Sequence, residues 1–251
     1  MLENQMMLLA VFERAALMLM TLFLLTRTRP FQRLFQKRDH TPAELVLVAS
    51  IFCLFAVFST YTGIPVEGAL INVRIIAIIS GGILFGPWVG IPAGVISGLH
   101  RYLIDMDGHT SIPCLIASII AGLLATWLHL RCRKSRLWLY GILAGMLCEG
   151  LTMLLIWLLT EPHEVGVEIV SHIAYPMIAG ALCIGLIIKL VQDLDDEKEL
   201  IAAKQAKLAL DIANQTLPFF QKVDRHSLGQ VCGVIRSEIH ADAVAITDTR
   251  D

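Results

Sequence analysis

Two arginines in apolar surroundings carry the chemistry that this sequence can do. Arg74 lies within the apolar stretch Leu70–Phe85 and Arg101 near the end of Trp88–Ile104, with Gly86-Pro87 between the two stretches. A charged side chain inside a membrane-length apolar run is costly, and by default it marks a functional site. If Gly86-Pro87 turns a helical hairpin, Arg74 lies 12 residues before Gly86 and Arg101 lies 15 after it. At about 1.5 Å per residue they stand roughly 18 and 22 Å from the turn, at nearly one depth. Two guanidinium groups at one level, facing inward, form a clamp for a small anion such as a carboxylate. The competing reading is structural: each arginine snorkels to the headgroups or pairs with Glu13 or Glu149.

The elements that must position this pair belong to a membrane. Hydrophobic residues make up 56% of the chain and charged residues 17%, and the mean hydropathy is +0.68, far from a soluble globular composition. Neither a basic face nor a strand-reading motif points to nucleic acid. The six cysteines, Cys53, Cys114, Cys132, Cys148, Cys183 and Cys232, show no CxxC pairing and read as small buried hydrophobes. No histidine spacing fits zinc, and only His100, beside Arg101, stands out among the eight. Met1–Gln5 has no basic region and no small-residue cleavage site follows, so the first apolar run is expected to be an uncleaved span.

Apolar spans read as Met7–Thr26, Leu45–Tyr61, Leu70–Phe85, Trp88–Ile104, Ile112–Leu130, Leu139–Leu159 and Val167–Leu190. Gly86-Pro87 separates the third and fourth as a helix stop followed by a helix start. Arg27, Arg29, Arg33, Lys37 and Arg38 lie between spans one and two; Arg131, Arg133, Lys134 and Arg136 lie between five and six. The alternate loops and their edges hold Glu67, then Asp105 and Asp107, then Glu161, Glu164 and Glu168. The positive-inside rule puts the N-terminus outside and the C-terminus inside, an alternation that seven spans satisfy and six do not. Arg74, Arg101, Cys114 and Ser118 then sit near the outer face.

Gly90, Gly94 and Gly98 leave one side of the fourth helix nearly bare, which allows close approach by a neighbouring helix or a second subunit. Pro92 in the same helix invites a kink. Glu149 in the sixth span is a further buried charge, and the adjacent Glu13 and Arg14 cannot face each other on a helix. Past Leu190 a charged helix continues to about Thr216, where Leu194, Ile201 and Leu208 repeat at heptad spacing, a thin seam for a second copy. Pro218 ends it. Beyond lie an amphipathic helix over Leu228–Ile239 and a strand over Ala243–Thr247. One helix and one strand bury no core, so this segment is expected to open a larger domain.

Several of these stretches recur in one family. Asn72-Val73-Arg74, Gly81-Gly82-Ile83-Leu84-Phe85-Gly86-Pro87, Gly98-Leu99-His100-Arg101-Tyr102 and Pro113-Cys114 resemble the membrane part of LytS-type sensor histidine kinases. The resemblance runs from the first residue to Asp251. It implies an all-α polytopic protein of the bacterial inner membrane: a seven-span sensor over 1–190, a signalling helix over 191–218, and the start of an α/β GAF-like domain over 219–251. It also implies a homodimer and a cytoplasmic response regulator reached through kinase domains. In a pyruvate receptor of that family the ligand is held by two arginines, a cysteine and a serine. Arg74, Arg101 and Cys114 match three of these. Ala117 occupies the serine's place, and Ser118 is one residue later, rotated by about 100° on a helix. Asn72 and His100, which accompany the arginines in these motifs, complete the candidate set.

A receptor for a small carboxylate, with pyruvate first, is therefore the leading expectation. A small-anion carrier is the alternative, since broken, glycine-rich helices with buried charge also suit transporters. No nucleophile–base pair, metal cluster or phosphate loop supports an enzyme within these residues, and no cofactor is expected.

Overall fold

In lipid every backbone N–H must find its acceptor inside its own segment, so long apolar runs become helices. The computed structural model describes residues 2–27, 41–66, 69–106, 108–132, 136–221 and 225–246. Much of the charge behind the sidedness reading (Arg29, Arg33, Lys37, Arg38, Glu67, Asp107, Arg133, Lys134) lies outside those residues. The first unit, 1–192, contains α1 (Leu2–Arg27), α2 (Pro42–Tyr61), α3 (Arg74–Phe85), α4 (Pro87–Ile104), α5 (Ser111–Arg131), α6 (Leu137–Leu159) and α7 (His163–Gly180), and the start of α8 (Leu182–Thr216). Among the described residues, α2, α5, α6 and the run beginning at His163 are long and apolar enough to cross a membrane.

Local chemistry sets the helix ends. Thr41 and Glu44 close a capping box around the start of α2, with Pro42 in its first turn. Between α3 and α4, Gly86 adopts φ 78°, a conformation that a side chain would strain, and its N–H donates to the Gly82 carbonyl at 2.9 Å. The two helices fold back on each other as the expected hairpin: a Cβ on Gly90 would lie 2.8 Å from the Gly82 Cα. The glycine ladder of α4 is filled from within the chain. A Cβ on Gly94 would meet the Ser118 carbonyl oxygen at 2.5 Å, and one on Gly122 would meet the Gly90 carbonyl oxygen at 2.5 Å. Helices α4 and α5 thus touch backbone to backbone, the geometry that small residues permit in membranes. Apolar side chains such as Val95, Leu99, Leu123 and Leu147 stay on the outside. Trp88, Trp127, Trp138 and Trp157 are exposed near helix ends, where an aromatic belt belongs.

Two expected spans are corrected. Leu70 and Ile71 do not begin a helix. They belong to β2 (Ala69–Ile71), which pairs antiparallel with β1 (Ile64–Val66) in the register Ile64↔Ile71. The third helix starts only at Arg74, so at 12 residues it reaches about 18 Å, short of a bilayer. The seventh span is interrupted at Ala181, between α7 and α8. Pro176 has no N–H to give to the preceding turn. Five residues on, the chain tightens: Ala181 N–H donates to Ile178 O at 3.2 Å and Ile184 N–H to Ala181 O at 3.1 Å.

The second unit is 193–251. Here α8 continues to Thr216, a 3₁₀ turn over Leu217–Gln221 follows at Pro218, and α9 spans Arg225–Ile239. The strand expected over 243–247 is not formed over 243–246, and Thr247 lies outside the described residues. A strand needs a ladder partner, and none is present among the described residues of this unit.

Gly94→Ala and Gly122→Ala will each drive a methyl into backbone that cannot move aside, lowering stability by about 1–3 kcal/mol. Gly150, with nothing within 4 Å of its built Cβ, is the control. Thermal unfolding in detergent should show a lower Tm for the first two and an unchanged or higher one for Gly150→Ala.

Candidate functional site

Arg74 is the first residue of α3 and Arg101 lies in the last turn of α4, so the hairpin carries both at its open end. Gly82 opposite Gly90 fixes the antiparallel register. Its sum, 172, sets Arg74 level with Gly98, three residues and about 4.5 Å along the axis from Arg101. This offset is close to the one read from the spacing about Gly86-Pro87. Both side chains are buried, Arg74 2% and Arg101 0% exposed.

The two guanidiniums differ in their partners. Both terminal nitrogens of Arg101 donate to Asp105 Oδ2 at 3.2 Å, and Nη2 also donates to Thr110 Oγ1 at 3.2 Å. Its ion-pair partner is therefore Asp105, one turn on, and not Glu13 or Glu149. Arg74 Nε and Nη1 and Arg101 Nε have no hydrogen-bond partner among the described residues. Glu149 on α6 is 3% exposed and interacts electrostatically with Arg74, and its Oε2 is also without a partner.

Cys114 is buried one turn into α5, its N–H donating to the carbonyl of Thr110, the residue that also holds Arg101. Arg101, Thr110 and Cys114 are thus linked. Ser118 is fully buried against Gly98, but its hydroxyl donates to the Cys114 carbonyl at 2.6 Å. Ser118 gives its proton to its own helix. Ala117, where the family serine would stand, is buried and has no polar group to offer.

Asn72 shapes the backbone that leads to Arg74. Its Oδ1 accepts from the Arg74 N–H at 3.2 Å while its Nδ2 donates to the Leu70 carbonyl at 3.2 Å. It turns the chain from β2 into α3 and so sets where Arg74 starts. His100 is half-buried at the same end. Its Nε2 lies 3.2 Å from the Tyr61 hydroxyl, with the rings edge to face, and its Nδ1 has no partner among the described residues.

Sequence reasoning missed Thr110, Ser59 and Thr60. The last two end α2, buried, with hydroxyls that have no partner among the described residues. The Tyr61–His100 contact brings that end of α2 beside Arg101. Unpartnered polar atoms from α2, α3 and α4 therefore share one end of the bundle. Buried polar groups are seldom left so, and donors gathered this way suit a small polar anion. No group of histidine, cysteine or carboxylate side chains that could hold a metal is present among the described residues, and the six cysteines are free thiols.

With this geometry in place, the comparisons with known proteins add a family. A family model described as "5TMR of 5TMR-LYT" matches residues 28–194. The chain belongs to the 5TMR-LYT family of membrane receptor domains. It is 60% identical to the sensor histidine kinase YpdA of Escherichia coli K12, over 97% of this chain and 43% of that protein. It is 31% identical to the sensor protein LytS of Bacillus subtilis, over 95% of this chain and 43% of LytS. To the sensor histidine kinase BtsS of Escherichia coli K12 it is 29% identical, over 96% of this chain and 44% of BtsS. The chain spans less than half the length of these relatives, and no solved structure matches it. It is a multi-pass inner-membrane protein and corresponds to the membrane receptor region of the LytS family.

Proposed function

We propose that the chain is the ligand-sensing part of a two-component sensor histidine kinase. It binds a small carboxylate, pyruvate first among candidates, at Arg74, Arg101 and Cys114 near the outer face. The carrying observation is the pair of buried guanidiniums with unpartnered N–H groups at the open end of one hairpin. A guanidinium cannot shed its charge and presents a planar fork that matches a carboxylate. Arg74 also stands at the positive end of α3, where a cation is unfavourable and an anion is welcome. The hydroxyls of Ser59 and Thr60, not Ser118, are the closest substitutes for the missing family serine.

Sidedness follows from the hairpin. Its two ends lie on one side however deeply it reaches, so it adds either two spans or none. The remaining crossings, α1, α2, α5, α6 and the α7–α8 run, are odd in number. With basic residues after α1 and α5, the N-terminus is outside and the C-terminus inside. With the two arms of the hairpin, of which α3 is too short to cross by itself, these make up the seven apolar segments of the receptor. Occupancy of the site passes along α7 and α8 into the cytoplasm, where a GAF-like domain beginning near Phe219 and kinase domains address a response regulator. The receptor acts as a homodimer, and Ile201, an exposed apolar side chain on the charged stretch of α8, belongs to its contact.

Three measurements check these statements. In calorimetry with pyruvate, Arg74→Ala and Arg101→Ala should each weaken binding by at least about 2 kcal/mol, and Arg→Lys should weaken it too. Full binding by both alanine variants removes the site. In oxidised membranes, Leu194→Cys and Leu208→Cys should give disulfide-linked dimers above the wild-type background; their absence at both positions rules out a parallel seam. Finally, α8 runs from Leu182 to Thr216 without a break at Leu190. A Gly-Gly pair inserted after Leu190 should leave pyruvate binding nearly intact but uncouple signalling in the full kinase. Unchanged pyruvate-dependent signalling would place the route elsewhere.

A further inference from the structure

A serine or threonine on an apolar helix ordinarily gives its proton to the carbonyl one turn back. Ser50, Ser80, Ser97, Ser118 and Thr152 all do so. Ser59 and Thr60, each 3% exposed, do not, and their hydroxyls have no partner among the described residues. Thr126 is also without one, but it lies against Gly90 in the tight contact between α4 and α5. At the end of α2 no such packing accounts for the unused donors, and a buried hydroxyl left unpaired is costly.

The packing of α2 fixes what Ser59 faces. Phe52 of α2 lies against Gly81 of α3, where a built Cβ would meet the Phe52 ring at 2.7 Å. The Tyr61–His100 contact puts the end of α2 at the open end of the hairpin, so α2 and α3 run antiparallel. Ser59 comes seven residues after Phe52, and Arg74 comes seven before Gly81. Seven residues are two turns, about 10.5 Å, and bring a side chain back to the same face within about 20°. Ser59 therefore stands opposite Arg74 as Phe52 stands opposite Gly81, on the stripe that Val48, Phe52 and Ala56 bury. No hydrogen bond joins the two: Ser59 Oγ, Arg74 Nε and Arg74 Nη1 are all unpartnered among the described residues. One molecule bearing adjacent acceptor oxygens would satisfy both sides at once.

We propose that Ser59 is a specificity residue: it donates its hydroxyl proton to the 2-oxo oxygen of a ligand whose carboxylate lies on Arg74, and so selects 2-oxo acids over simple carboxylates. This deepens the carboxylate reading above and rests on it. In a 2-oxo acid the ketone oxygen is carried by the carbon next to the carboxylate and can only accept. The guanidinium fork serves the carboxylate, and the hydroxyl, which can turn its proton, serves the ketone. An acid without the 2-oxo oxygen leaves Ser59 as unpaired as it is in the empty site and forfeits that bond.

The test is calorimetry of the full chain with pyruvate and with propionate, the same carbon chain without the 2-oxo oxygen. The wild type should bind pyruvate about tenfold more tightly than propionate, the worth of one sheltered hydrogen bond. Ser59→Ala should lose that ratio by weakening pyruvate alone, with propionate affinity unchanged. Without ligand its Tm should be equal to the wild type's or higher, because the lost hydroxyl has no protein partner; a fall would mark a structural role and overturn the proposal. Ser50→Ala, on the same helix but bonded to the Val46 carbonyl, should keep the ratio. Wild-type binding of both acids with equal affinity overturns this proposal and leaves the carboxylate site standing. A ratio that survives in Ser59→Ala, or is lost only in Thr60→Val, overturns the assignment to Ser59. Absence of binding of either acid by the wild type overturns both readings. Should Ser59→Ala fail to fold, Ser59→Cys, close in size but a weak donor, is held to the same outcomes.

Discussion

One end of the helical bundle is organised by the burial of Arg101. A guanidinium has five donors, no acceptor and no neutral form to retreat to, so it stays buried only where charge and acceptors meet it. Asp105 and Thr110 do this, and their own supports extend the arrangement. The Asp105 carbonyl accepts from the Ser111 hydroxyl and, at 3.2 Å, from the Gly108 N–H. The His109 carbonyl accepts from Thr160 Oγ1 at 3.3 Å, which ties the end of α6 to the same short connection. Arg101 also lies in the last turn of its helix, where the backbone dipole favours a cation. Arg74 lies at the opposite kind of end. Of the two arginines, one has its charge met by Asp105, and the other stands at a helix end that favours an anion.

That asymmetry would mean little if the helices could shift. Side chains can adjust by rotamer, but α3, α4 and α5 meet through Gly82, Gly90, Gly94 and Gly122, with backbone against backbone. Such contacts have no soft coordinate. They fix how far α4 reaches beyond α3, and so the level of Arg101 relative to Arg74. At the other end His129 Nδ1 lies 2.8 Å from the Ile83 carbonyl, one of the acceptors freed where α3 stops. The hairpin is pinned at its turn, and its charged end inherits that precision.

The parts legible in the sequence were those with a marked residue or a period. Gly86-Pro87 announced the hairpin, and the glycines at every fourth position announced close packing. Arg101 and Asp105 stand at helical i,i+4 spacing in the sequence, where Asp105 also serves as a marker of sidedness. Other features had no periodic signature. The short strands over 64–66 and 69–71 are hidden in apolar sequence that a helix would use equally well. Asn72 sits beside Arg74 in its motif, and adjacency alone does not separate a ligand from a residue that turns the chain. Ser118 has the right type and the wrong direction, because a buried serine on a helix finds the carbonyl one turn back. Ser59 and Thr60 became visible only when the fold brought the end of α2 against His100.

The same packing offers a path from the arginine end to α8 that needs no loop. Helix α3, which begins at Arg74, packs on α6, and Gly145 of α6 is pressed against Ala181 and Ile184. Ala181 is where α7 gives way to α8. At its other end α6 is tied through Thr160 to the short connection that holds Arg101. Coupling requires that a ligand distinguish two arrangements by free energy. Helix α6 touches both the arginine end and the interruption, so a ligand that favoured one placement of α6 would be felt at the start of α8.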